Sequence, residues 1–155
     1  MIFVLISLIV PLLTYLFLPY ALKTITLKKP PERSLLVIAG VLFFLSWFLP
    51  SPDIQGENTA AVTHFLGGGV FTGFVWLYIK EHLRWRAYWV IELLSLLALV
   101  SLLGVANELF ELVAVRLGLI ELSLSDTPWD LLMNTLGAIT FWIFYKLIVR
   151  STTAR

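Results

Sequence analysis

Apolar residues fall along this chain in five runs, covering residues 2–22, 33–49, 60–79, 88–115 and 128–148, with short polar segments between them. Runs of ~18 or more residues with almost no charge are candidates for crossing a membrane. The first run holds Pro11 and Pro19, which a membrane helix tolerates when neighbours satisfy the freed backbone groups. It has no basic residues ahead of it and no small-residue cleavage site behind it, so it is expected to be a retained span rather than a signal peptide. The second run, opening near Ser34, is about 24 Å long at 1.5 Å per residue, and Pro50 and Pro52 break it. The third carries three consecutive glycines (Gly67, Gly68, Gly69) and then Gly73, and the Gly69-x-x-x-Gly73 spacing lets another helix approach closely, from this chain or a second copy. The fourth is roughly 42 Å if unbroken, longer than the ~30 Å hydrocarbon core, so its last turns reach the far interface. Gly118 is a fitting end for it, and Asp126-Thr127-Pro128 a fitting helix start for the fifth.

Composition agrees. The chain has 155 residues, 59% of them hydrophobic and only 14% charged, where a soluble domain averages about 25% charged. With no cysteine, disulfides, thiolate metal sites and cysteine catalysis are excluded. The expected fold class is an all-α polytopic membrane protein of five transmembrane helices, one membrane domain over residues 1–155, with no basic cluster suited to nucleic acid.

The few cations then set the orientation. With five spans, Lys23, Lys28, Lys29, Arg33, Lys80, Arg84, Arg86, Lys146, Arg150 and Arg155 share one side, and Arg116 alone falls on the other. Basic residues favour the cytoplasmic side, so the N-terminus is expected outside and the C-terminus in the cytoplasm. Trp47 and Trp129 would mark the outer interface, and Trp76, Trp85 and Trp89 the inner one.

That topology gathers polar residues at one depth. His64 lies about one turn inside the third span, and Glu108 and Glu111 lie a turn apart near the end of the fourth. Asp126, Asp130 and Asn134 follow an i, i+4, i+8 pattern at the start of the fifth. A charge near the centre of a membrane helix costs ~2.5–3.5 kcal/mol, so ionisable groups kept there point to a wet cavity or bundle interior. Asp53, Glu57, Glu108, Glu111, Glu121, Asp126 and Asp130 all fall outside the inner leaflet, where Arg116 and His64 are the only cationic partners. The carboxylates must be hydrated, protonated or bound to an external cation. A histidine with several carboxylates suits Zn, Mn or Mg, with His64, Glu108, Glu111 and Asp130 as ligands. It equally suits general acid–base chemistry, with Asn134 as an orienting group. Beside these stand plainer readings: Asp126 as a helix cap, Asp53, Glu57 and Glu121 as solvated loop charges, and Asn134 as a bond between helices. Glu92, at the other end of the fourth span, is expected to meet Arg86, His82 or water.

Thr63-His64-Phe65 opening a span, the Glu108-x-x-Glu111 pair ending the next, and Asp130-x-x-x-Asn134-x-x-Gly137 opening the last resemble the VanZ-like family and a related group of small bacterial inner-membrane proteins. The likeness covers about residues 63–138, roughly half the chain. It implies a multi-pass protein of the bacterial cytoplasmic membrane and cell envelope; the founding member is associated with glycopeptide (teicoplanin) resistance. Two departures are plain: Ala60-Ala61-Val62 stands where the family has Asp-Lys before the histidine, and Glu111 where it often has Gln. The expected partners are membrane lipids and either a lipid-linked envelope substrate or a cationic ligand.

Overall fold

In a computed structural model of the chain, residues 2–54, 57–58, 60–119 and 126–153 are described. Five helices account for most of them: α1 (Ile2–Thr26), α2 (Ser34–Ser46), α3 (Phe71–Leu83), α4 (Trp89–Arg116) and α5 (Thr127–Thr153). A π-helical stretch, Thr63–Val70, runs straight into α3, so the third apolar run is one continuous rod. The only other regular structure among the described residues is a two-residue antiparallel ladder, β1 (Asp53–Ile54) on β2 (Glu57–Asn58). Glu121 lies outside the described residues.

Among the described residues, three segments are long and apolar enough to cross a membrane: Ser7–Thr26, Trp89–Arg116 and Thr127–Val149. α2 is apolar too but has only 13 residues. Large apolar side chains line the outside, among them Leu12, Phe17, Phe110 and Phe144, each more than half exposed. That is the surface of a protein whose solvent is lipid.

The rod formed by the π-helical stretch and α3 is the hub. One side of it packs on α1 and α2 through Leu22, Leu36, Ala39, Phe71, Val75 and Tyr78. The other packs on α4 and α5 through Trp76, Leu96, Val100, Ala138 and Phe141. The tightest contact joins the π-helical stretch to α5. A Cβ on Gly69 would strike the Asn134 carbonyl and the Gly137 Cα, one on Gly137 would strike the Phe65 carbonyl, and one on Gly73 the Phe141 ring. The Gly69-x-x-x-Gly73 face is therefore used inside the chain, where van der Waals contact between close backbones replaces the hydrophobic effect that lipid cannot supply.

Helix ends follow from local chemistry. α1 runs through Pro11 and Pro19 to Thr26, four residues beyond the apolar run. α4 stops in a Schellman turn: Leu119 N–H donates to the Ala114 carbonyl (2.9 Å), Gly118 N–H to the Val115 carbonyl (3.0 Å), and Gly118 sits at φ +67°. α5 begins just after Asp126, whose carbonyl accepts from the N–H groups of Trp129 and Asp130. Trp76 departs from the expected interfacial belt: it is buried in the core, and its indole N–H donates to Ser95 Oγ at 2.9 Å. A polar partner within the bundle removes any need for the ring to reach the headgroups.

Candidate functional site

Three helices carry polar groups at matching intervals: 64 and 80 on the hub rod, 92 and 108 on α4, 130 and 146 on α5. Sixteen residues of α-helix span about 24 Å. The bundle thus has two polar layers, one at each end of an apolar slab.

The His64 layer is built where α5 wedges between the π-helical stretch and α4. His64 Nε2 lies 3.3 Å from Asp130 Oδ1, with the carboxylate side chain only 4% exposed. His64, Glu108 and Asp130 each offer a ligand atom, and the three atoms lie within 4.8 Å of one another. Thr127 Oγ1 donates to Glu108 Oε2 at 2.7 Å, tying the start of α5 to α4. Asn134 fills a slot between two helices: its side chain occupies the space a Cβ on Gly68 would take, and its Nδ2 would lie 3.2 Å from a Cβ on Gly104. Asp130 and Asn134, one turn apart, both face inward and are both buried. Wide π-helical turns, which recur at functional sites, bring His64 and Gly68 to this face.

Three buried oxygens here, Glu108 Oε1, Asp130 Oδ1 and Asn134 Oδ1, lack a well-aligned hydrogen-bond donor, and the His64 ring is the one donor group beside Asp130 and Asn134 among the described residues. The His64–Asp130 approach is close but lacks hydrogen-bond alignment. Buried polar groups are normally satisfied, so poorly served acceptors on Glu108 and Asp130, whose ligand atoms lie within 4.8 Å of each other and of a His64 nitrogen, call for a donor or a cation. No lysine or arginine reaches them among the described residues.

Of the five candidates read from the sequence, His64, Glu108, Asp130 and Asn134 come together. Glu111 does not join the three potential ligands; its Oε1 accepts from the exposed Asn107 Nδ2 at 2.8 Å. Asp126 sits half-buried at the head of α5. Thr127 and the Gly68–Gly104 slot had no visible signal, since each acts across helices far apart in sequence.

The opposite layer corrects one expectation. Glu92 meets neither Arg86 nor His82: its Oε1 pairs with Lys80 at 2.6 Å and its Oε2 with Lys146. His82 instead turns to α1, its Nε2 2.7 Å from Thr26 Oγ1. Lys80 also donates to Tyr145 OH at 2.7 Å and lies over the Tyr145 and Trp76 rings. Two cations on one buried carboxylate need the α3, α4 and α5 ends side by side, which residue spacing alone does not reveal.

Compared with known proteins, the chain matches no family model, no curated protein and no solved structure.

Proposed function

We propose that this chain crosses a bacterial cytoplasmic membrane five times, N-terminus outside, and holds a divalent cation in an outward-facing pocket of His64, Glu108 and Asp130. The cation serves chemistry on a lipid or lipid-linked envelope substrate. The observation that carries this reading is the meeting of a histidine nitrogen with two buried carboxylate groups that have no aligned donor on one oxygen each. One imidazole and two carboxylates form a common ligand set for a catalytic divalent metal that keeps an open position.

In this reading His64, Glu108 and Asp130 are the ligands. Thr127 fixes the second oxygen of Glu108, and Asn134, locked between Gly68 and Gly104, offers its carbonyl oxygen to the same space. Glu111 stands at the rim as an exchangeable base, held by Asn107. A divalent ion placed there would polarise a phosphoryl or carbonyl oxygen entering from the membrane. The spacing of the two polar layers, about 24 Å, supports a membrane placement with one layer near each boundary. The ten-to-one bias of basic residues supports the orientation, and the VanZ-like resemblance around residues 63–138 supports the envelope setting.

The test is metal analysis of the purified protein beside His64→Ala and Glu108→Gln. Near-stoichiometric zinc, manganese or magnesium in the parent, lost in both variants, is the expected result. A metal-free parent whose stability is indifferent to all three ions sinks the proposal. Metal binding without turnover of any lipid phosphate ester would reduce it to a cation-binding membrane protein. Because the chain has no cysteine, single cysteines at positions 51 and 151 give a clean labelling test of the topology.

A further inference from the structure

At the Lys80 end, the last turn of α3, the residues just after it and Tyr145 of α5 form an open groove of about 340 Å3, lined by Leu77, Lys80, Arg84, Trp85, Arg86 and Tyr145, with Glu81 also in its lining. We infer that this groove binds a phosphate-bearing anion, the lipid headgroup in the adjoining leaflet being the source its shape favours. The inference shares the membrane reading above but is independent of the His64 pocket.

Two observations carry it, and a third fixes the local geometry. The first is charge. Buried Glu92 is the only carboxylate touching Lys80 and Lys146 among the described residues, so this knot retains one positive charge. Arg84 and Arg86, both exposed, add two more to the lining, against the exposed Glu81. An excess cation held against low-dielectric surroundings draws an anion.

The second is hydrogen-bonding capacity. Tyr145 OH already accepts from Lys80, which leaves its own proton to donate. With Arg84 and Arg86 in its lining, the groove offers several donors suited to phosphate oxygens. Leu77 and Trp85 form an apolar wall of the kind that the glycerol and upper chain of a lipid would follow.

The third is backbone conformation. α3 ends in a Schellman turn, with Trp85 N–H donating to the Lys80 carbonyl and Arg84 N–H to the Glu81 carbonyl, both at 3.1 Å. The residue at the left-handed position of that turn, where glycine is favoured, is Arg84, at φ +52°. Leu27, just past α1, and Ala60 also have positive φ, so the conformation alone assigns no role; here it sets where the Arg84 backbone leaves α3 beside the groove. The same turn in α4 uses Gly118.

Arg84→Gly separates this proposal from a purely structural role, because glycine relieves the strain while removing the charge. Purified full-length protein in neutral detergent would be offered phosphatidylglycerol and phosphatidylcholine in equal amounts, and retained lipid read by native mass spectrometry. The parent is expected to keep one phosphatidylglycerol. Arg84→Gly should melt no lower than the parent yet retain phosphatidylglycerol about fivefold less, and the Arg84→Gly/Arg86→Gln pair about tenfold less or worse. Glu81→Gln should retain more. Protection by inorganic phosphate with no lipid preference would identify a free phosphate species as the source. Equal retention of the two lipids with no effect of phosphate, or unchanged preference in the double variant, overturns the inference. His64→Ala should leave the result untouched, so the two sites stand or fall separately.

Discussion

The two polar layers are carried by the same three helices at the same sixteen-residue interval, yet their chemistry is opposite. At the Lys80 end two lysines and a tyrosine converge on one carboxylate, so Glu92 is fully satisfied and cations remain in excess. At the His64 end two carboxylates and an amide meet one imidazole, and three oxygens lack an aligned donor. The first layer has its own counter-charges within the chain and works as a structural clamp. The second lacks them, and an unpaired buried acceptor is costly to keep. Its design makes sense when something positive arrives from outside.

The largest effect should come from destroying both layers at once. Gly69→Val places methyl groups into the α5 backbone at the Asn134–Gly137 crossing, and should cost more than ~4 kcal/mol, enough that no folded protein survives detergent extraction. Recovery of a monodisperse, fully helical variant would show that the crossing is looser than described.

Next, charge removal should act with unequal force at the two ends. Glu92→Gln strands two lysines and is expected to cost about 3–5 kcal/mol, read as a fall in thermal midpoint. Glu108→Gln removes one of several competing acceptors, so in chelator its midpoint should match the parent or rise. Equal losses from both substitutions would erase the contrast.

Adding the preferred divalent ion at about a hundred times its dissociation constant should stabilise the parent by about 2.7 kcal/mol. His64→Ala and Glu108→Gln should show none of that gain, while Glu92→Gln, however weakened, should keep it. A metal-induced shift that survives His64→Ala places the ion elsewhere.

Smaller still, Thr127→Val removes a 2.7 Å bond to a carboxylate and should cost about 1.5 kcal/mol in chelator. It should also weaken metal binding by loosening Glu108. Asn107→Ala, at an exposed position, should stay within ~0.5 kcal/mol and leave metal binding intact; a loss of metal there would bring Glu111 into the ligand set.

The sequence by itself determined the helices. Runs of apolar residues bounded by prolines, Gly118 and the Asp126-Thr127-Pro128 start could form little else in lipid, because every backbone group there must be bonded within its own segment. It also placed His64, Glu108, Asp130 and Asn134 at one depth, since ionisable residues are conspicuous against an apolar background. What only the tertiary structure decided is which partners meet. The π-helical turns around Gly67–Gly69 rotate His64 and Gly68 toward α5, a change of helical pitch that no residue pattern announces. The turn of α4 leaves Glu111 with Asn107 rather than with His64, and the joining of three helix ends gives Glu92 two lysines in place of Arg86 or His82. Depth along a helix follows from counting residues, whereas pairing depends on rotation and crossing between helices, which the side chains of several segments fix together.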